Sequence, residues 1–350
     1  MDYFSTFFSG LQQWLYETAV QPVMFALGMG NLLEDGYAAT AWVMVGVIQV
    51  LILLVVIAPL QRWRPVDAVT DRATIRTDIF YTLLHRLGLF RIALFFTLEP
   101  LFDQAFGTLR TAGYGTFHLD QLWPGVTDNA IVSLLIYVVV FDFVAYWTHR
   151  GQHQVGWWWR LHSLHHAQRQ MTMWSDNRNH LLDDILVDII VVVVAQLIGV
   201  APGQFIAIVA FTQLSESFQH ANVRLWFGHI GERLWVSPRF HRLHHSIGIG
   251  HESPLKDKRV FTALAADGSF ASISPETTSQ VPGPVPVRAR LGGHNFSVLL
   301  PCWDMLFGTA NFEQRYDPTG VRDQLEKNRD YGRGFWSQQW IGLKRLVGRA

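Results

Sequence analysis

Three short histidine clusters constrain this chain more than any other feature of its sequence. Residues three and four apart on an α-helix share one face, with Cβ atoms roughly 5–6 Å apart. Each cluster is therefore predicted to present its imidazoles to one point, which is typical of metal ligands. The clusters are His149-x-x-x-His153, His162-x-x-His165-His166 and His241-x-x-His244-His245.

The number of histidines says more about the metal than their type does. Imidazole is a suitable ligand for iron, zinc and copper. One zinc ion takes about three or four protein ligands, and the clusters exceed that number, so they predict two six-coordinate ions. Neutral imidazoles leave the metal charge uncompensated, which favours oxygen-derived anions. The pattern therefore favours dioxygen activation followed by attack on an unreactive C–H bond.

Long apolar segments predict an all-α, polytopic membrane bundle of four or five spans, with a histidine-rich helical cap. Residues 37–60 contain no charged side chain, and about 20 apolar residues are enough to cross a bilayer. Residues 129–148 form a second such run, interrupted only by Asp142. Residues 183–200 and 203–220 are predicted to be a pair of shorter spans. Residues 79–98 are a weaker candidate because His85, Arg86 and Arg91 lie inside them.

The distribution of basic residues predicts where the clusters lie. Arg62, Arg64, Arg72 and Arg76 follow the first apolar run, and the positive-inside rule assigns them to the cytoplasm. If residues 79–98 cross back, the next span delivers His149 to the cytoplasmic face, and the shorter pair returns the third cluster there. We therefore expect a multi-pass integral membrane protein with its active site on the cytoplasmic face.

Composition excludes several other classes of protein. The formal net charge is zero, and the chain has no basic stripe of the kind that nucleic-acid binding requires. Cys302 is the only cysteine, so an internal disulfide and a cysteine-ligated iron–sulfur or zinc site are excluded. The sequence has no nucleotide, haem or iron–sulfur signature. Electrons for an oxygenase reaction are therefore expected from a separate reductase, ferredoxin or cytochrome.

The chain divides into three parts on this interpretation. Residues 1–128 are expected to form membrane-associated helices, and residues 129–312 the histidine-box catalytic domain. Residues 250–293 interrupt that domain with an insertion rich in Gly, Pro and Ser, which predicts an exposed loop. Residues 313–350 form a cytoplasmic tail, whose apolar and basic residues suit a helix at the membrane interface.

Further motifs accompany the clusters in a fixed order along residues 142–309. They are Asp142-x-x-x-Tyr146-Trp147-x-His149-Arg150, Gln219-His220-Ala221-Asn222-Val223, Asn295-Phe296 and Trp303-Asp304-x-x-Phe307-Gly308-Thr309. With the clusters, they resemble the fatty acid hydroxylase/sterol desaturase family of integral-membrane di-iron oxygenases. About 50 residues separate the third cluster from Asn295, whereas the resemblance implies a much shorter connection.

The resemblance implies that ten histidines ligate two iron ions. Eight are the clustered histidines. His180 occupies the position of a His-Pro-x-Glu segment, with Asp183 in place of the glutamate, and His220 matches an isolated histidine at the end of a span. His251 and His294 flank the insertion and could add ligands, although surface histidines are favoured there.

Asp142 is the residue expected to orient a ligand ring. It lies seven residues before His149, two helical turns away on the same face. A carboxylate inside an apolar span is costly and is usually functional, and ligand histidines commonly donate their other N–H to such a group.

The resulting hypothesis is a membrane di-iron oxygenase that hydroxylates or desaturates a lipid with O2 and external electrons. Two alternatives remain open. A membrane zinc-dependent hydrolase would need fewer ligands and a His-Glu-x-x-His pattern, which is missing. A non-enzymatic metal transporter or sensor should have histidines along a path through the spans, whereas these lie at the span ends.

Overall fold

The computed structural model describes residues 2–90, 93, 98–247, 262–264, 270–272 and 293–350. Within these ranges the chain is built mainly from α-helices, as the sequence predicts. In chain order they are α1 (Asp2–Leu15), α2 (Gln21–Ala26), α3 (Leu33–Ile52), α4 (Ala58–Trp63), α5 (Arg72–Arg86), α6 (Glu99–Thr111), α7 (Ala130–Gln154), α8 (Gly156–His166), α9 (Leu181–Ile198), α10 (Pro202–Gln219), α11 (Gly228–Leu234), α12 (Pro238–His244), α13 (Cys302–Leu306), α14 (Asp323–Glu326) and α15 (Phe335–Leu346).

Strand structure in the described part of the chain is limited to the insertion and one isolated bridge. Residues Thr262–Leu264 (β1) pair antiparallel with Phe270–Ser272 (β2). These two strands are the one departure from the all-α prediction. The rest of residues 250–293, apart from Gly293, lies outside the described residues, so the expected exposed loop there stays a prediction.

Two helical segments among the described residues are long and apolar enough to cross a membrane, namely Gly30–Trp63 and Ala130–Gln154. The first contains α3 and α4, which are joined by a π-helical turn at Leu53–Ile57. Pro59 has no backbone N–H to donate in the first turn of α4, and a local π turn is one way for a helix to absorb such a break. The second segment is α7, which Asn129 caps by accepting from the backbone N–H groups of Ile131 and Val132.

The predicted pair of shorter spans corresponds to α9 and α10, an 18-residue helix each. Gly199 ends α9 with φ 68°, a left-handed conformation that glycine adopts without steric cost. Residues 79–98 are not one continuous helix, since α5 ends at Arg86 and Gly88 follows with φ 76°. Its later part falls mostly outside the described residues, so the expectation of four or five spans stays a prediction.

Helix ends meet at the place where the clusters converge. Helix α8 packs against α7 and α15, and α12 packs against α10. Ser237 begins α12, because its hydroxyl accepts a hydrogen bond of 3.1 Å from the backbone N–H of Phe240. The packing brings histidines from the C-terminal ends of α7, α8, α10 and α12 together.

Candidate metal centre

Nine of the ten predicted ligands lie in two adjacent buried groups. Within each group, the ligand nitrogens all lie within 4.8 Å of one another. The first group contains His149, His153, His162, His166 and His244, and the second contains His165, His220, His241 and His245.

The second and third clusters are each divided between the two groups. His162 and His166, four residues apart, belong to the first group, whereas His165 belongs to the second. The third cluster is divided in the opposite sense, with His244 in the first group and His241 in the second. The prediction that each cluster points at one place is wrong for these two. Neighbouring residues on a helix point about 100° apart, so His165 and His166 diverge. Helices α8 and α12 consequently supply histidines to both groups.

The spacing of nitrogens in the second group suits ligands at right angles. The Nε2 atoms of His220 and His165 are 3.1 Å apart, and those of His241 and His220 are 3.0 Å apart. The Nε2 atoms of His245 and His241 are again 3.1 Å apart. Ligands at about 2.1 Å from a metal lie about 3.0 Å apart at a right angle and about 3.4 Å apart in a tetrahedron. The donor set therefore fits octahedral coordination better than a tetrahedral zinc site.

Backbone carbonyls fix three of the rings from outside. Because a carbonyl can only accept, the Nδ1 atom of each ring carries the hydrogen, and its Nε2 lone pair is left for a metal. The pairs are His149 with the Phe296 carbonyl at 2.9 Å, His244 with the His294 carbonyl at 2.7 Å and His220 with the Glu216 carbonyl at 2.8 Å.

A carboxylate orients a fourth ring. His162 Nδ1 lies 3.0 Å from Asp183 Oδ2, while Gln152 and Trp158 donate to Asp183 Oδ1 at 2.8 and 2.6 Å. His162 Nε2 is buried without a hydrogen-bond partner among the described residues. A metal ion would satisfy that atom, and a carboxylate–histidine–metal arrangement is common in metalloproteins.

Asp142, the residue expected to orient a histidine ring, instead forms hydrogen bonds with the segment at residues 299–303. Its carboxylate accepts from the backbone N–H groups of Leu299 and Leu300 at 2.7 and 3.0 Å and from Trp303 Nε1 at 2.9 Å. It therefore holds the segment that follows Phe296, and none of these three hydrogen bonds joins a histidine. Asp183 has the role that was assigned to Asp142. The position of Asp183 at the family's glutamate was the sequence signal for it.

Asp304 and Asn295 fix the same segment. Asp304 accepts from the backbone N–H groups of Phe296 and Ser297 at 2.9 and 2.8 Å. Asn295 adopts φ 57° and donates to the Phe240 carbonyl at 2.9 Å. The carbonyls of Phe296 and His294, which accept from His149 and His244, thus belong to a segment that Asp304 and Asn295 hold in place.

His180 is not brought to either group. Its Nε2 atom lies 2.9 Å from the Gln339 carbonyl, and its Nδ1 atom accepts from the Leu182 N–H at 3.2 Å, which caps α9. A Cβ atom at Gly342 would overlap the His180 ring, so α15 lies directly against it. Both ring nitrogens are used, and we omit His180 from the proposed ligand set.

Replacing His180 by asparagine is therefore expected to leave the metal content unchanged. Asparagine is a good helix N-cap, so the start of α9 should be preserved. Metal per chain in the purified variant is the measurement. Loss of one ion relative to the unmodified protein would restore His180 to the ligand set.

Of the two histidines that flank the insertion, the structure describes only His294. His294 is buried and supplies its backbone carbonyl to His244, but it is in neither ligand group. His251 lies outside the described residues.

Burial favours the uncharged form of four of the clustered imidazoles. Removal from water lowers the pKa well below the usual histidine value, and neighbouring imidazoles lower it further. This holds for His165, His241, His244 and His245. Neutral imidazole is the form that binds a metal, so the donor atoms, their spacing and their charge state all fit a pair of metal ions.

The fold and the site define a class of protein: a helical protein with two adjacent all-histidine groups, each of which could hold a metal ion. The chain contains a fatty acid hydroxylase domain, since the family model described as Fatty acid hydroxylase matches residues 134–254. The matched range includes all nine converging histidines. The resemblance inferred from the sequence is thereby confirmed.

The chain is also similar in sequence to curated proteins. Ornithine lipid hydroxylase OlsE of Rhizobium tropici is 26% identical over 193 residues, which cover 55% of this chain and 56% of the relative. The very-long-chain aldehyde decarbonylase GL1-4 of rice, Oryza sativa, is 28% identical over 130 residues, covering 34% of this chain and 21% of the relative. The chain thus spans about half the length of the first relative and about a fifth of the second. No solved structure matches the chain.

Proposed function

We propose that this chain is a membrane-bound, dioxygen-dependent lipid hydroxylase that holds two iron ions. The observation that carries the proposal is the pair of adjacent buried groups, five histidines in one and four in the other. Imidazole donors suit iron as well as zinc and copper, so donor type alone does not select the metal. The right-angle spacing in the second group favours iron over tetrahedral zinc.

The protein's own residues hold and orient the donor atoms. Asp183 keeps the Nδ1 hydrogen of His162 in place, and the carbonyls of Phe296 and His294 do so for two further rings. Fixed rings need little rearrangement when a metal binds. Two iron ions held there would supply dioxygen activation and oxidation of a C–H bond. One oxygen atom would enter the bond and the other would leave as water, with two electrons and two protons from the external donor.

Substrate access is proposed from a cavity beside the two groups. The cavity has a volume of about 230 Å³, and histidines of both groups line it together with Val187, Val191 and Val298. We propose that α3, α7, α9 and α10 lie in the bilayer and that the histidine groups lie on its cytoplasmic side. A lipid would then reach the metal centre laterally, between helices.

Hydroxylation is favoured over desaturation, and electrons are proposed to come from a separate protein. The bacterial relative is named as a lipid hydroxylase, which makes ornithine lipid one substrate to test. The chain contributes no nucleotide, haem or iron–sulfur motif of its own. A reductase, ferredoxin or cytochrome is therefore the proposed donor.

The proposal predicts about two iron ions per purified chain and one oxidised lipid class in cells. Lipids are compared by mass spectrometry between cells that produce the intact protein, cells that produce the His165→Ala variant and cells without the gene. The expected result is a lipid that gains one oxygen atom only with the intact protein. One zinc ion per chain and no lipid change would reject the proposal in favour of a hydrolase.

A further inference from the structure

One tryptophan connects the first histidine group with a second cavity. The centroid of the Trp159 ring lies 5.0 Å from that of His153 and 5.3 Å from that of His166. Trp159 is 8% exposed, and it also lines a cavity of about 260 Å³ to which none of the nine converging histidines contributes. Its ring is therefore in contact both with a proposed metal site and with this second cavity.

The second cavity is lined by arginines. Arg160, Arg329 and Arg345 border it, and no Asp or Glu side chain is among the described residues that do so. Asp323 lies just behind the wall and pairs with Arg329 at 2.8 Å, which compensates one of the three charges. The guanidinium carbon of Arg345 lies 4.0 Å from the centroid of the Tyr331 ring. These contacts hold two of the guanidinium groups in place at the cavity.

The surrounding chain adds more positive charge. Residues 327–350 contain six Lys and Arg side chains and one Asp. Lys327, Lys344 and Arg349 are exposed, and each lies within two residues of one that lines the cavity. We call these three cations and the three cavity arginines the arginine surface. Clustered charge of one sign steers a partner of opposite charge and speeds its association, so this surface suits an acidic partner.

Helix α15 directs its apolar residues and the arginine surface to different sides. Trp336, Trp340 and Leu343 are exposed along one side of the helix. At 100° per residue, Arg345 lies about 140–180° around the helix axis from them. The apolar residues are the part that suits a membrane interface, and Arg345 faces away from it. A soluble protein is therefore favoured over the bilayer as the partner of the arginine surface.

We propose that the arginine surface docks a small acidic electron-transfer protein and that electrons reach the first histidine group through Trp159. Electron tunnelling weakens steeply with distance, and the Trp159 ring fills the gap between the cavity and the histidines. Each donor molecule gives up one electron and one iron ion passes from the ferric to the ferrous state, so two donor molecules supply the pair. Trp159 itself is unchanged. The inference rests on the proposed function and adds where its electrons arrive.

The docking surface is tested by equilibrium binding at low ionic strength, where charge attraction is least screened. The probe is an oxidised, acidic 2Fe–2S ferredoxin, and the full-length protein is iron-loaded in detergent micelles. Arg160→Glu and Lys344→Glu reverse exposed charges and are each expected to weaken ferredoxin binding about tenfold. Arg233→Glu reverses an exposed charge outside the arginine surface and is expected to bind like the unmodified protein.

The electron path is tested by mixing reduced ferredoxin with the iron-loaded protein in the absence of dioxygen and lipid. Trp159→Leu is expected to lose most of the rate of ferredoxin oxidation per iron ion, with ferredoxin affinity unchanged. Trp159→Phe keeps an aromatic ring and is expected to retain most of that rate. Dithionite is a small reductant that needs no docking surface, so its rate is expected to be equal in all three proteins.

Iron content is measured first in every variant, and a chain without iron would reject the proposed function before ferredoxin is added. With iron in place, three results would overturn the inference: no ferredoxin binding, binding unaffected by both charge reversals, or no loss of rate in Trp159→Leu beyond any loss with dithionite. Binding to vesicles of anionic phospholipid is measured beside these. If the charge reversals weaken vesicle binding and leave ferredoxin binding unchanged, the surface belongs to the membrane and the inference is wrong.

Discussion

Replacing His220 by alanine is expected to remove one of the two metal ions and to reduce lipid oxidation on the order of 100-fold or more. The second group has four histidines, so this change leaves it with three. It removes the Nε2 atom that lies closest to those of His165 and His241. The first group keeps all five of its donors. Iron per chain, measured by elemental analysis beside product formation, is the readout.

Two further variants make the measurement specific. His153→Ala takes one donor from the larger group and leaves four, so it should retain more iron than His220→Ala. His229→Ala changes an exposed histidine that belongs to neither group and should behave like the unmodified protein. An unchanged iron content in His220→Ala would contradict the two-group interpretation.

Replacing Asp183 by asparagine is expected to weaken metal binding to the first group about 10- to 100-fold. Asp183 accepts from three donors, His162, Gln152 and Trp158. An asparagine amide has one oxygen and one NH2 group, so a donor would face another donor. If the His162 ring turns away in response, its Nε2 atom leaves the group.

The matched control for this change is Trp158→Phe. It removes one hydrogen bond to Asp183 and leaves the bond to His162 in place. Metal affinity, measured by competition with a chelator, is expected to stay near that of the unmodified protein. Equal affinity in Asp183→Asn and in the unmodified protein would show that the carboxylate does not orient the ring.

The convergence of the clustered histidines could be anticipated from the sequence, because the spacing of residues along a helix depends only on the local sequence. Residues four apart on one helix, such as His149 and His153, share a face whatever surrounds them. How α8 and α12 are rotated relative to each other depends on packing between distant parts of the chain. Helical phase alone shows that His165 and His166 point in different directions, but which histidines of α8 and α12 meet in each group depends on that packing.

The exchange of roles between Asp142 and Asp183 has a similar origin. Asp142 has the correct phase on α7 to lie below His149, but the segment at Leu299 and Leu300 occupies its carboxylate from 157 and 158 positions away in the chain. His180 was predicted to be a metal ligand from its position in a motif. In the structure its ring packs against α15 and hydrogen-bonds the Gln339 carbonyl and the Leu182 N–H. Apolar runs located the long helices, whereas the number of spans, the domain boundaries and the cytoplasmic position stay predictions.

Main-chain oxygen atoms, rather than side chains, hold His149 and His244, and this has a consequence for how the gene can vary. Any amino acid at positions 294 and 296 would offer the same carbonyl. The side chain at position 296 is constrained separately, because the buried Phe296 ring packs against His149 and His153. For the two hydrogen bonds, side-chain identity is secondary. What matters is the path of the backbone, which Asp142 and Asp304 fasten from outside. With the segment secured in this way, the stretch that precedes it can lengthen by dozens of residues without moving a single donor atom.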